Sequence, residues 1–221
     1  MNRRLTSVVM GAALTLASTS MVGAQAVTPA GNFGSIPEAT FGGSGIPNTG
    51  MMVGGQNGVT IGLTTTRRYT SVAVPTTDGA GTYYASSGIS TGAPTPPGNV
   101  GFATWNFDYF VGGASSNDYF TLFVDNNPAG GNSLGDLTQF SWTGNAQDSS
   151  NLGWGAGFDP YANGEYSFAL YQYSDAARTN VVDHVAMNVN VTTTPEPSSL
   201  ALLGTGFVGL VGFVKRRSRR A

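Results

Sequence analysis

Apolar and polar side chains alternate in short runs between residues 57 and 194, and Gly, Asn, Asp and Pro separate the runs. In residues 102–111 the apolar Trp105 and Phe107 share one face, whereas Asn106 and Asp108 share the other. A period of two is the pattern of a strand that is buried on one side. We predict strands at 59–66, 69–74, 102–111, 119–125, 137–142, 165–173 and 185–191.

This pattern predicts an all-β fold, because no amphipathic helix of three turns interrupts the runs. Seven or eight short strands in such a length favour an antiparallel β-sandwich. We assign the sandwich domain to residues 57–194. Residues 27–56 are rich in Gly and Pro, so we expect an arm or loose edge there rather than a folded unit.

The amino-terminal 26 residues have the pattern of a signal peptide. Arg3 and Arg4 precede an uncharged, mostly apolar stretch over 5–21, which predicts a signal helix. Ala24 and Ala26 supply the small side chains that signal peptidase requires. We therefore expect general secretion and a mature chain that starts at Val27.

The carboxyl-terminal segment, from Pro195 to Ala221, has three parts in order. Pro195, Glu196 and Pro197 come first, and an uncharged run of 15 residues follows at 200–214. As a helix this run would span roughly 22 Å, enough to enter a bilayer when basic ends snorkel. A cytoplasmic end is predicted by the basic cluster of Lys215, Arg216, Arg217, Arg219 and Arg220.

These three parts resemble the PEP-CTERM sorting domain, and the resemblance is confined to Pro195–Ala221, about an eighth of the chain. In Gram-negative bacteria, proteins with such a tail are substrates of the membrane protease exosortase. The resemblance implies a transient inner-membrane anchor, cleavage near Pro195-Glu196-Pro197, and delivery to the cell surface or to an extracellular matrix of exopolysaccharide. An ordinary anchor that is never cleaved is the alternative.

The exported body is acidic once both ends are set aside. Two arginines lie in the leader, five basic residues and Glu196 lie in the tail, and residues 27–194 keep three basic and eleven acidic residues, a formal charge of −8. Such a body repels nucleic acid, which we therefore exclude as a partner. Solubility is one reason for the charge, and cation binding is another.

Thiol catalysis and thiolate metal sites are excluded because the chain has no cysteine, and its one histidine, His184, is too few for common zinc sites. Residues 125–136 partly match a calcium loop, with Asp125, Asn127 and Asp136 as candidate oxygen ligands. Ala129 lacks the oxygen expected at the fifth position, and no helices flank the loop. A plain turn between two strands is the alternative, and no cofactor other than calcium is expected.

Three functions remain open. The first, which we favour, is a non-enzymatic surface or matrix protein with a structural or adhesive role. The second is a carbohydrate-binding module, whose exposed rings would come from Trp142, Trp154, Tyr161 and Tyr171. The third is a glycoside hydrolase, which needs two facing carboxyls from a set that includes Asp108, Asp118, Asp159 and Glu165.

Overall fold

A computed structural model describes residues 27–68, 72–90, 101–154 and 158–193. The predicted signal peptide and its helix, the sorting segment and the predicted membrane helix lie outside the described residues. Within the described ranges, no helix is both long and apolar enough to cross a membrane.

The described residues form an all-β fold with eleven strands and one short 3-10 helix, Leu152–Trp154. The all-β class is confirmed, and the predicted count of seven or eight strands is too low. The strands are β1 (Asn32–Ser35), β2 (Thr49–Gly54), β3 (Thr60–Arg67), β4 (Thr76–Thr77), β5 (Thr82–Ser86), β6 (Trp105–Gly112), β7 (Tyr119–Val124), β8 (Thr138–Thr143), β9 (Ala146–Ser150), β10 (Gly164–Tyr173) and β11 (Val181–Thr192).

The strands form two sheets. A five-stranded sheet has the order β1-β2-β3-β6-β9, and a six-stranded sheet has the order β4-β5-β11-β10-β7-β8. Every pair of neighbours is antiparallel except β5 and β11, which run parallel from Asn188↔Thr82 to Thr192↔Ser86. The prediction of a purely antiparallel fold is therefore wrong at this pair, because β11 inserts between β5 and β10 instead of adding to an edge.

The two sheets share one core. Apolar side chains of the five-stranded sheet, such as Trp105 and Phe107, pack against those of the six-stranded sheet in a single buried cluster. Phe107 stacks on Phe168 with ring centroids 4.9 Å apart, and Trp105 meets Tyr166 edge-on at 5.4 Å. Burying such large rings from both layers is the main source of stability in a fold of this kind.

Six of the seven predicted strands correspond to β3, β6, β7, β8, β10 and β11. The seventh, 69–74, is wrong where it can be judged, since 72–74 form no strand and β4 and β5 follow instead; 69–71 lie outside the described residues. The prediction missed β9 because its sequence Ala-Gln-Asp-Ser-Ser has no apolar alternation. β9 is nevertheless held by antiparallel pairing to β6.

The interpretation of residues 27–56 as an arm needs correction. They supply β1 and β2, and Met52 belongs to the core between the sheets. The segment 36–47 between these strands lies over the outer face of the five-stranded sheet, where Ile36, Phe41 and Met51 pack against Phe110. A few large side chains spaced by glycines are thus enough to dock a segment whose composition resembles a linker.

Candidate functional site

Polar side chains gather on the outer face of the five-stranded sheet. Trp105 and Phe107 of β6 point into the core, so the alternation turns Asn106 and Asp108 outward. Strand register places Thr64 of β3 on one side of Asp108 and Ser149 of β9 on the other. This face is not solvated as the alternating pattern predicted, because segment 36–47 covers it and Asp108 is 0% exposed.

Asp108 is a buried carboxyl without a hydrogen-bond partner among the described residues. Burial raises the pKa of Asp108 from 3.8 to about 7, and the negative charge of Asp148 adds to the rise. The hydroxyls of Ser149 and Thr66 lie near enough to lower the pKa in part, although neither makes a hydrogen bond of good geometry with the carboxyl. A pKa in this range makes the charge of Asp108 sensitive to pH near neutrality.

A chain of amide hydrogen bonds borders the carboxyl. The Asn106 amide Nδ2 donates to the Ser149 hydroxyl at 2.8 Å, and its Oδ1 accepts from Asn151 Nδ2 at 2.7 Å and from an Arg68 guanidinium nitrogen at 3.4 Å. The Arg68 guanidinium also lies 4.0 Å from the ring centroid of Phe102. These contacts hold Arg68 and Asn106 in fixed positions, as a binding site requires.

A cavity of about 560 Å³ opens between residues 41–47 and the ends of β3, β6 and β9. Thr66, Asn106 and Ser149 give it hydroxyl and amide groups, and Arg67, Arg68 and Asp148 give it charges. Because Thr66 and Ser149 also adjoin Asp108, the buried carboxyl lies next to the cavity. Its size and mixture of apolar and polar groups suit a small polar ligand.

The four carboxyls considered for glycoside cleavage are dispersed. Asp108 and Glu165 lie on opposite outer faces of the sandwich, since the neighbours of each along its strand fill the core. Asp118 is bound within the turn before β7, where its Oδ2 accepts from the Ser115 backbone nitrogen at 2.8 Å. Asp159 caps another turn by accepting from the backbone nitrogen of Tyr161 at 2.9 Å. The structure thus uses Asp118 and Asp159 within turns and separates Asp108 from Glu165 by the two sheets.

The four candidate aromatic residues do not form one platform. Trp142 packs against Tyr109 and Phe120 on the core side of the six-stranded sheet, whereas Tyr171 stacks on His184 on its outer side, with centroids 4.8 Å apart. Trp154 and Tyr161 are 64% and 60% exposed, and neither lies on a sheet, since Trp154 ends the 3-10 helix after β9 and Tyr161 lies in the turn before β10.

The candidate calcium ligands are engaged locally. Asp125 is buried, its Oδ1 accepts from the Asn127 backbone nitrogen at 2.9 Å, and its Oδ2 accepts from that of Ser167 at 3.3 Å. Asn127 Oδ1 accepts a hydrogen bond from the backbone nitrogen of Ala129, and the Asp136 carboxylate accepts one from the Ser133 hydroxyl. Across the described ranges no group of three or more His, Cys, Asp or Glu side chains is placed to hold a metal ion. Calcium binding stays a prediction.

The sequence pattern indicated Asp108 but not Asn106, Ser149 and Arg68, which line the neighbouring cavity. The signal that could have revealed the covered face is Phe110, a large apolar side chain on the supposedly polar side of β6. The remaining predicted sites fall outside the described residues: Ala24, Ala26, Pro195, Glu196, Pro197, Lys215, Arg216, Arg217, Arg219 and Arg220.

Comparison with known proteins bears on the tail alone. Neither a curated protein nor a solved structure matches the chain. A family model described as the PEP-CTERM protein-sorting motif matches residues 193–220. This range begins at the last residue that the structure describes, just after β11, and it contains the Pro-Glu-Pro triplet, the apolar run and the basic cluster. The chain therefore carries a PEP-CTERM protein-sorting motif at its carboxyl end, which marks it as an exported, exosortase-targeted surface protein.

Proposed function

We propose that this protein is a non-enzymatic component of the cell surface or extracellular matrix with a structural or adhesive role. The observation that carries the proposal is the sorting motif, joined almost directly to β11 of a sandwich body. The signal peptide at residues 1–26 starts export, the tail holds the chain in the inner membrane, and cleavage near Pro195 releases the acidic body outward.

The distribution of polar groups in the body supports a binding or structural role over hydrolysis. Two-carboxyl glycoside cleavage needs a pair of carboxyls roughly 5–10 Å apart across a substrate. Of the four carboxyls considered, Asp118 and Asp159 are instead used to cap turns, and Asp108 and Glu165 lie on opposite faces.

Mass spectrometry of the native protein tests the sorting route. Cells and medium are compared with and without the sorting protease, and the carboxyl end of the mature chain is measured. We expect the residues after about Pro197 to be lost only where the protease is present. A mature pool that still ends at Ala221 would contradict the proposal and would favour a permanent anchor.

A second candidate function, saccharide binding, is favoured by the cavity beside Asp108. Amide, hydroxyl and guanidinium groups with apolar walls are the combination that orients a sugar. Calorimetric titration with neutral and acidic oligosaccharides tests it. We expect Arg67→Ala to weaken binding at least several-fold, because Arg67 lines the cavity, and Tyr161→Ala to leave binding unchanged. The reverse result would assign binding to the exposed rings instead.

A further inference from the structure

The chain leaves the sandwich at a defined end. The backbone nitrogen of Ser87 donates to Thr192 O at 2.9 Å, and that of Gly88 donates to Pro160 O at 2.7 Å. The strand end that leads to the tail is therefore held beside the turn that contains Tyr161. We call this region the exit end, and it comprises residues 86–90, 101–104, 151–154, 158–163 and 192–193.

Two exposed aromatic side chains project from the exit end. Trp154 is 64% exposed and rests edge-on against Phe102 at 4.9 Å, and Phe102 is tied to residue 90 by a backbone hydrogen bond. Tyr161 is 60% exposed and follows Pro160 directly. Trp and Tyr are the side chains that prefer the boundary between lipid and water, because each joins a broad apolar ring to a polar group.

The tail keeps the exit end close to the membrane. Only residues 194–199 separate Thr193 from Leu200, the first residue of the apolar run. The seven Cα-to-Cα steps from Thr193 to Leu200 span at most about 25 Å, even when the chain is fully extended. Val181, at the start of β11, lies roughly 37 Å from Thr192 at about 3.4 Å per strand residue. The tether therefore keeps the exit end near the bilayer, whereas the far end of β11 is separated from the exit end by more than the tether's length.

We propose that, before the tail is cut, the exit end rests on the lipid headgroups of the membrane that holds the tail, with Trp154 and Tyr161 at headgroup depth. This contact depends on the membrane anchoring in the proposed function, but it is made by the folded body and not by the tail. It holds the cleavage region near Pro195 at the membrane surface, where a membrane protease works.

Tryptophan fluorescence of the full chain from Val27 to Ala221, reconstituted in phosphatidylcholine vesicles, tests the contact. Trp105 is buried and Trp142 is half-buried, so the difference between the natural chain and Trp154→Phe isolates the signal of Trp154. We expect lipids brominated in the upper acyl chain to quench most of that signal, and we expect aqueous iodide to quench it several-fold less than in the same chain without vesicles.

Matched variants and flotation separate the outcomes. Tyr161→Ser should reduce lipid quenching of Trp154, whereas Val181→Ser, which removes a side chain 51% exposed at the far end of β11, should not. If the chain floats with vesicles but Trp154 keeps full access to iodide, the contact is refuted and anchoring stands. If Val181→Ser lowers quenching as much as Tyr161→Ser, an end-on contact is likewise refuted. A chain that does not float refutes both.

Discussion

Asp108 is the residue whose surroundings most affect how the protein responds to pH. Its pKa is raised to about 7 in the folded chain, so between about pH 4 and pH 7 the folded state holds a proton that the unfolded state has lost. The stability that Asp108 contributes is complete below pH 4 and declines as pH rises through 7. The decline amounts to at most about 1.4 kcal/mol per pH unit.

Asp108→Asn should remove this dependence. The amide cannot ionise, so the free energy of unfolding of the variant, measured by denaturant titration from pH 4 to pH 8, should rise relative to the natural chain as pH increases. The difference between the two curves isolates Asp108, because Asp78 and Asp175, whose pKa values are lowered by backbone hydrogen bonds, act equally in both proteins. If the free energies of unfolding of the two proteins change in parallel with pH, Asp108 is ionised over the whole range from pH 4 to pH 8.

Asn151 joins the ends of two strands, which makes it important at the level of elements. Its Oδ1 accepts from the backbone nitrogens of Ala103 and Gly153 at 2.9 and 3.0 Å, and its Nδ2 donates to Trp105 O at 2.7 Å. Asn151→Ala would leave these buried backbone groups unpaired and should lower the free energy of unfolding by about 3 kcal/mol. Asn163→Ala, at an exposed position just before β10, is the matched control and should cost far less. Equal losses would contradict the role assigned to Asn151.

Segment 36–47 packs closely on β3, and Gly62 makes this possible. A Cβ at Gly62 would lie 2.5 Å from Ile36 Cδ1, so Gly62→Ala should cost about 1–3 kcal/mol through overpacking. Ile36→Val removes that methyl group, and the double variant should therefore lose less stability than the sum of the two single losses. Thermal melts of the four proteins measure the coupling. Strict additivity would show that the segment does not touch β3 at this point.

At the scale of the whole molecule, residues 27–56 behave as part of the sandwich. Without them β3 would lose its partner β2, and the shared core would lose Met52. We expect a chain that starts at residue 57 to lose the cooperative melting transition that the chain from Val27 shows. Near-ultraviolet circular dichroism during heating measures this. A cooperative transition in the shortened chain would restore the interpretation of a dispensable arm.

Local alternation was enough to predict β3, β6, β7, β10 and β11, because one face of each strand lies in the core between the sheets. It could not predict β9, because the residues of β9 are polar and the strand forms through antiparallel pairing with β6. The candidate site was hidden for a similar reason. Asp108 acquires its surroundings from β3, β9 and segment 36–47, which are distant in sequence, so its burial depends on sheet order and not on local spacing.

The central position of β11 has a mechanical consequence. This strand, the last within residues 27–193 as described, is paired to β10 from Val181 to Val191 and to β5 from Asn188 to Thr192. A pull on Thr193 along the strand axis would load both ladders in shear, so that many hydrogen bonds share the force, whereas an edge strand of a hairpin would be unzipped one bond at a time. A body tethered through this end would withstand drag from flowing liquid without first losing its outermost strands.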